Sequence, residues 1–166
     1  MLIRRLVPTD AAAFHALRLQ ALMEAPTAFG ASYEDERHTP LSMIEARLTA
    51  DSGRNMFGAF VDDRLLAMVG IGCGTGLKEV HKGFVRSMYV APAQRGQGTG
   101  RAILEHAIGF ARTLPGVRQL TLAVNATNTP AIALYESLGF ASYGLEPDSL
   151  LVDGVFHSEM LMFRLL

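Results

Sequence analysis

The chain has one cysteine, Cys73, in 166 residues, so no internal disulfide can staple it. No uninterrupted apolar stretch approaches the roughly 20 residues that a membrane span requires, and the run after Met1 is too short for a secretory leader. A basic excess is also missing: the net charge is −1, which argues against a general nucleic-acid binder. The five histidines and the cysteine lack the spacing of metal ligands, so no metal is expected. His157 and Ser158 are not a nucleophilic pair, because adjacent strand residues point to opposite faces. No repeat and no disordered tail stands out. Hydrophobic residues make up 49% and charged ones 19%, ample for a packed core. These features describe a soluble, cytoplasmic protein with a single domain over residues 1–166.

Acid is scarce in one region. From Val80 to Tyr135 Glu105 faces Lys82, Arg86, Arg95, Arg101, Arg112 and Arg118, a net +5 against −6 for the rest. Within that region Phe84–Val90 is rich in β-branched and aromatic residues and is stopped by Pro92, which reads as a strand. Ala102–Arg112 reads as a helix, with Ile103, Leu104, Ala107, Ile108 and Ala111 on one face. Gly96, Gly98 and Gly100 lie between them. Glycines at alternate positions before a helix leave backbone N–H groups uncovered, beside the partial positive charge of a helix start. An anion such as a phosphate belongs there.

Two common phosphate loops are excluded by spacing. A Walker A loop needs Gly-Lys followed by Ser or Thr, whereas Gly100 is followed by Arg101 and Ala102. The dinucleotide fingerprint needs glycine at position 101. The series Gly70, Gly72, Gly74 and Gly76 fails it too, with threonine at 75, and reads as a frayed strand end.

Elsewhere Leu2–Leu6 reads as a strand, then a helix capped by Thr9 or Asp10 runs to Glu24 with Phe14, Leu17, Ala21 and Leu22 buried. Tyr33–His38 is polar without an apolar stripe. Thr39-Pro40 opens a further helix, with Leu41, Ile44 and Leu48 inward and Asp51-Ser52-Gly53 as its end. Asn55–Val61 and Leu65–Ile71 form an antiparallel hairpin. Val117–Val124 follows the glycine-loop helix by a right-handed crossover, so it runs parallel to Phe84–Val90. Thr129 caps the next helix. Val155–Leu166 closes the sheet through a tight turn at Asp153-Gly154. The fold class is α/β of the α+β type: a mixed, mostly antiparallel central sheet with one parallel strand pair and helices on both faces.

Arg95-x-x-Gly98-x-Gly100 resembles the acyl-coenzyme A signature of the GCN5-related N-acetyltransferase (GNAT) superfamily. Leu122–Phe140 resembles the strand and helix that follow it there, with Asn128, Tyr135 and the Gly139-Phe140 ending. The resemblance covers roughly residues 54–163. It implies that the parallel pair splays apart and admits the pantetheine arm of acetyl-CoA. On this resemblance the cofactor-binding residues are Met88, Tyr89, Val90, Arg95, Gly96, Gln97, Gly98, Thr99, Gly100, Arg101 and Asn128. The N–H near Met88 would polarise the thioester carbonyl, and Asn128 would be a wall of the cleft, a turn residue, or both. Tyr135 is the catalytic residue implied, supplying a proton or hydrogen bond to the departing thiolate; from spacing alone it is also a residue of the buried helical stripe. Glu34 and Glu36 are candidates for binding the amine, or else parts of a solvated helical turn. Many relatives carry a glutamate where this chain has Arg86, which leaves Glu34, Glu36, Glu79, His81 or a water chain for amine deprotonation.

The implied activity is N-acetyl transfer from acetyl-CoA to a primary amine by direct attack in a ternary complex, without metal. The acceptor is a small-molecule or protein amine, and a homodimer is expected on family habit. The competing expectations are a catalytically silent CoA-binding sensor or partner-binding module, and a transferase for another short acyl-CoA such as succinyl-CoA.

Overall fold

The computed structural model describes residues 1–49 and 54–166. The order is β1 (Leu2–Arg5), α1 (Ala11–Glu24), α2 (Tyr33–Glu36), α3 (Leu41–Arg47), β2 (Arg54–Val61), β3 (Arg64–Cys73), β4 (Lys82–Val90), α4 (Thr99–Thr113), β5 (Gln119–Asn125), α5 (Thr129–Ser137), β6 (Ala141–Val152) and β7 (Val155–Leu165). The strands form one seven-stranded sheet ordered β1-β2-β3-β4-β5-β7-β6. Among the described residues only β4 and β5 pair in parallel. Among the described residues no helix is long and apolar enough to cross a membrane.

Period-two alternation splits the core between the two faces of the sheet. On one face the α4 residues Ile103, Leu104, Ala107, Ile108 and Ala111 pack on Phe57, Val69, Ile71 and Leu120. On the other, Phe14, Leu17 and Ala21 of α1 and Ile44 of α3 cover Met56, Met68 and Tyr89. Leu104 is fully buried, and truncation of such a residue to alanine costs about 2–5 kcal/mol. The hairpins turn without strain from larger residues: Asp62 (φ 48°) and Asp63 (φ 59°) join β2 to β3, and Asp153 (φ 49°) and Gly154 (φ 78°) join β6 to β7. Aspartate and glycine tolerate the left-handed backbone that a two-residue hairpin needs.

One irregularity positions the site. Gly70 pairs with Arg86 but Met68 pairs with Tyr89, so β4 carries one extra residue, Ser87, at φ 54°. Such a bulge bends a strand and ends regular pairing. The β4–β5 ladder consists of Lys82↔Gln119, Gly83↔Leu120 and Phe84↔Thr121. Beyond Phe84, β4 stays with β3, while β5 stays with β7 as far as Asn125↔Glu159. The sheet therefore opens between them, the splayed pair that the resemblance implies.

Several local expectations are corrected. The α4 helix begins at Thr99, three residues before Ala102. Asp10 is the N-cap of α1 but makes no side-chain cap bond; its carboxylate instead accepts from the Val7 N–H at 2.9 Å and pairs with Arg4 at 2.7 Å. Pro40 is itself the N-cap of α3, without a side-chain bond, and Leu41 is exposed rather than inward. Asn128, not Thr129, caps α5, its Oδ1 accepting from the Ala131 N–H at 3.3 Å. Gly70 and Gly72 belong to β3 rather than to a frayed end. The helix end expected at Asp51-Ser52-Gly53 lies outside the described residues.

Candidate active site

The glycine loop leads from β4 to α4. Gly96 (φ 71°) and Gly98 (φ 80°) are left-handed, and a Cβ added at either would meet nothing within 4 Å, so the loop face is open. Among the described residues no backbone carbonyl accepts from any N–H between Gly96 and Arg101; the first bond is Ala102 N–H to the Gly98 oxygen at 3.0 Å. The chain thus offers a run of unpaired donors at a helix start. Side chains hold this run in place. Gln97 Nε2 donates to the Ala93 oxygen at 2.8 Å, buried Thr99 donates to Gln94 Oε1 at 3.4 Å, and Arg101 donates to Ser137 Oγ at 2.7 Å. Arg95 is engaged away from the loop face: its Nε donates to the Val90 oxygen at 3.0 Å and its Nη2 meets Glu24 at 2.6 Å.

The loop opens into a cavity of about 510 Å³ between the parted strands, lined also by Met88, Asn128 and Tyr135. Ala91 N–H bonds to Leu66 of β3, so by strand alternation the Met88 and Val90 N–H groups face the opening. Tyr89 contributes backbone alone. Its ring packs toward α1 and its hydroxyl donates to Glu24 at 2.5 Å; burial, then this carboxylate, pushes its pKa up to about 12. Gly100 is close-packed, since a Cβ there would lie 3.4–3.6 Å from Leu134, Val90 and Met88.

Tyr135 sits on the buried face of α5, 7% exposed, with its ring edge-on to Phe140 at 5.9 Å. Burial alone pushes its pKa up to about 12, so the phenol is protonated at neutral pH. Asn125 is the brace of the β5 end. It is buried, donates to the Thr27 oxygen at 3.2 Å, and accepts from the Thr127 N–H and hydroxyl at 2.9 and 2.7 Å.

A second cavity of about 480 Å³ lies across the gap. It shares Phe29, Val85, Arg86, Ser87 and Ala123 with the first, and adds Arg18, Glu36 and Glu159. Glu36 reaches this cavity already paired: Arg18 donates to its two oxygens at 3.0 and 3.3 Å and stacks on Phe29 at 4.8 Å. Glu34 does not line it, being 68% exposed and paired with Arg37 at 3.0 Å. Glu79 and His81 precede and adjoin the paired start of β4, away from both cavities; Glu79 pairs with Lys82 at 3.4 Å.

Sequence reasoning overlooked Arg18, Asn125 and Glu159. A signal existed for Arg18, which falls on the same helical stripe as Phe14, Leu17, Ala21 and Leu22. A charge at a core position is the informative exception. Asn125 and Glu159 face each other across β5 and β7, a register that no local pattern encodes.

A profile of the Acetyltransferase (GNAT) family matches residues 18–140. Streptothricin acetyltransferase of Streptomyces lavendulae is 44% identical over 70 residues, 42% of this chain and 35% of that relative, so the likeness spans about a third of the relative's length. Among solved structures, an acetyltransferase of the GNAT family from Streptococcus pneumoniae has a TM-score of 0.88 at 24% identity, covering 99% of both chains. The yncA protein of Salmonella typhimurium, solved with its cofactor acetyl-CoA, has a TM-score of 0.83 at 23% identity over 100% of this chain and 94% of that one. At these identities the superpositions show a shared fold.

Proposed function

The chain belongs to the acetyltransferase (GNAT) family, and from that premise we propose that it transfers an acetyl group from acetyl-CoA to a primary amine by direct attack in a ternary complex. The observation that carries this reading is the run of unpaired amides from Gly96 to Arg101 opening onto a cavity that Tyr135 also lines. A diphosphate fits such a run, because the φ-positive glycines leave its face bare and the donors need no rearrangement. Gly96, Gln97, Gly98, Thr99, Gly100 and Arg101 act through their backbone. The Arg95 side chain braces the loop.

The bound donor supplies a thioester, already activated toward amines. The Met88 N–H offers a hydrogen bond to a developing oxyanion. Tyr135 offers its phenolic hydrogen to a departing thiolate. With its pKa near 12, against about 8.5 for an ordinary thiol, full proton transfer to sulphur is uphill. Donation of a hydrogen bond is what this phenol can supply at neutral pH. Asn128 spends its Oδ1 on the α5 cap and lines the cleft at the same time, so both of its expected roles are compatible.

Titration calorimetry with acetyl-CoA, followed by thiol release with an amine panel, tests the reading. Absence of binding at millimolar acetyl-CoA sinks it. Arg86 on β4, where a carboxylate could have accepted the amine proton, favours a second reading: a CoA-binding module without transfer. That reading expects acetyl-CoA to bind while no amine releases thiol. Competition between acetyl-CoA and succinyl-CoA fixes the acyl group.

A further inference from the structure

The acceptor side of the gap has a charge pattern of its own. Arg86 leaves β4 and lies across β3, over Gly70 and Gly72. A Cβ at Gly72 would fall 2.3 Å from Arg86 Nη2 and 2.8 Å from Cζ, and one at Gly70 would fall 3.0 Å from Cγ. Two glycines in the interior of a strand forgo side-chain packing, and here they form the trough in which this guanidinium rests. Among the described residues no carboxylate or carbonyl accepts from it, although it lines both cavities.

Arg18 lines the same second cavity and is 9% exposed. Its Nε and Nη2 are used by Glu36, but Nη1 is buried without a partner. A buried charged donor without an acceptor is a costly arrangement that a ligand oxygen would relieve. Glu159 lines this cavity from β7, with one carboxylate oxygen accepting from Ser149 at 2.6 Å. The walls thus present two guanidinium groups with unused donors, a third guanidinium from Arg47, and the Glu159 carboxylate. Glu36 adds no net negative charge because Arg18 balances it.

We propose that the second cavity recognises an acceptor carrying a carboxylate or an isosteric oxyanion beside its amine, the free amino-acid class. Arg86 and Arg18 Nη1 bind the anionic end by charge-assisted hydrogen bonds, and Glu159 takes the ammonium end. A purely cationic polyamine would meet the unbalanced Arg86 instead. The proposal rests on the acetyl-transfer reading for its meaning, but its binding test does not.

The full chain is titrated, with and without acetyl-CoA, with the free L-amino acids, each beside its carboxamide, and with spermidine. At least one amino acid should bind 10- to 100-fold more tightly than its carboxamide, the range for losing hydrogen bonds to a charged group. In Arg86→Gln that preference should collapse while acetyl-CoA affinity is unchanged, and Arg86→Lys should restore part of it. Competition by sodium acetate against the preferred amino acid on the unaltered chain gives the same answer should the variants not fold. Equal binding of acids and amides, preference for spermidine, or no amino acid bound at millimolar concentration would overturn the proposal. Failure of acetyl-CoA to bind would remove the transfer reading and leave the amino-acid titration to decide the pocket.

Discussion

The two sides of the parted strands are built in opposite ways. The donor side is almost one continuous stretch, Met88 to Arg101, and its recognition groups are backbone amides exposed by glycine. The opposite side gathers Arg18, Arg86 and Glu159 from three separate elements, with Phe29 from the loop after α1, and presents side-chain charge. Backbone donors have the same chemistry whatever residue carries them, so the first side suits an invariant diphosphate. Side-chain charges can be exchanged singly, so under the proposed reading acceptor choice falls to the second side.

Four changes break or sharpen this contrast. Tyr135→Phe, on the donor side, should lower kcat about 10²–10³-fold, the effect of losing one hydrogen bond to a developing charge, with acetyl-CoA affinity unchanged. A kcat within about threefold of the unaltered chain would make Tyr135 a packing residue only. Asn125→Ala removes three hydrogen bonds at the point where the sides meet. About 2–3 kcal/mol of stability should go with them, read as a fall in Tm of roughly 4–10 °C for a chain of this size. Gly98→Ala puts a Cβ on a residue at φ 80°. The cost of about 1–2 kcal/mol should make the free loop relax out of its open shape, which binding must then restore, so acetyl-CoA should weaken about tenfold and acceptor binding should stay as it was. Glu34→Gln, on the acceptor side only by sequence, should change acceptor KM by less than a factor of two, since its exposed pair with Arg37 contributes at most about 1 kcal/mol to stability.

The Tyr135 phenol also sets an alkaline signature. Its folded pKa, about 12, lies above the ordinary value of about 10, so between these the unfolded chain ionises first. Stability is fully present below about pH 10 and is lost as pH climbs toward 12. Denaturant unfolding across that window should show a shallower loss for Tyr135→Phe than for the unaltered chain. Tyr89, raised to about the same value, keeps its own share in both.

Much of this was legible where the determinants are local. The buried face of α4, the antiparallel β2–β3 pairing, the tight turn at Asp153-Gly154 and the parallel direction of β5 follow from periodicity, turn chemistry and crossover handedness. The open amides of the glycine loop were readable because glycine spacing alone exposes them. The α4 start was missed because Gly98 and Gly100 look like loop residues, although Gly98 caps the helix and Gly100 lies in its first turn. The Ser87 bulge had no signature, since serine rarely takes φ 54° and the need for it arises from the neighbouring strands. The acidic run at Glu34 to Glu36 pointed toward a cationic acceptor until the Arg18 pair showed Glu36 neutralised. That pair joins residues 18 apart on different helices.

The trough under Arg86 also ties two positions together for anyone redesigning the protein. While the guanidinium occupies the space above β3, residue 72 can grow only by making the end of the Arg86 side chain move. A shorter side chain at 86 would release that restriction and leave a void for a larger neighbour to fill. Alanine at 72 should therefore displace the Arg86 guanidinium in the parent and leave nothing to displace beside Arg86→Ser, a non-additivity that a double-mutant cycle would read directly.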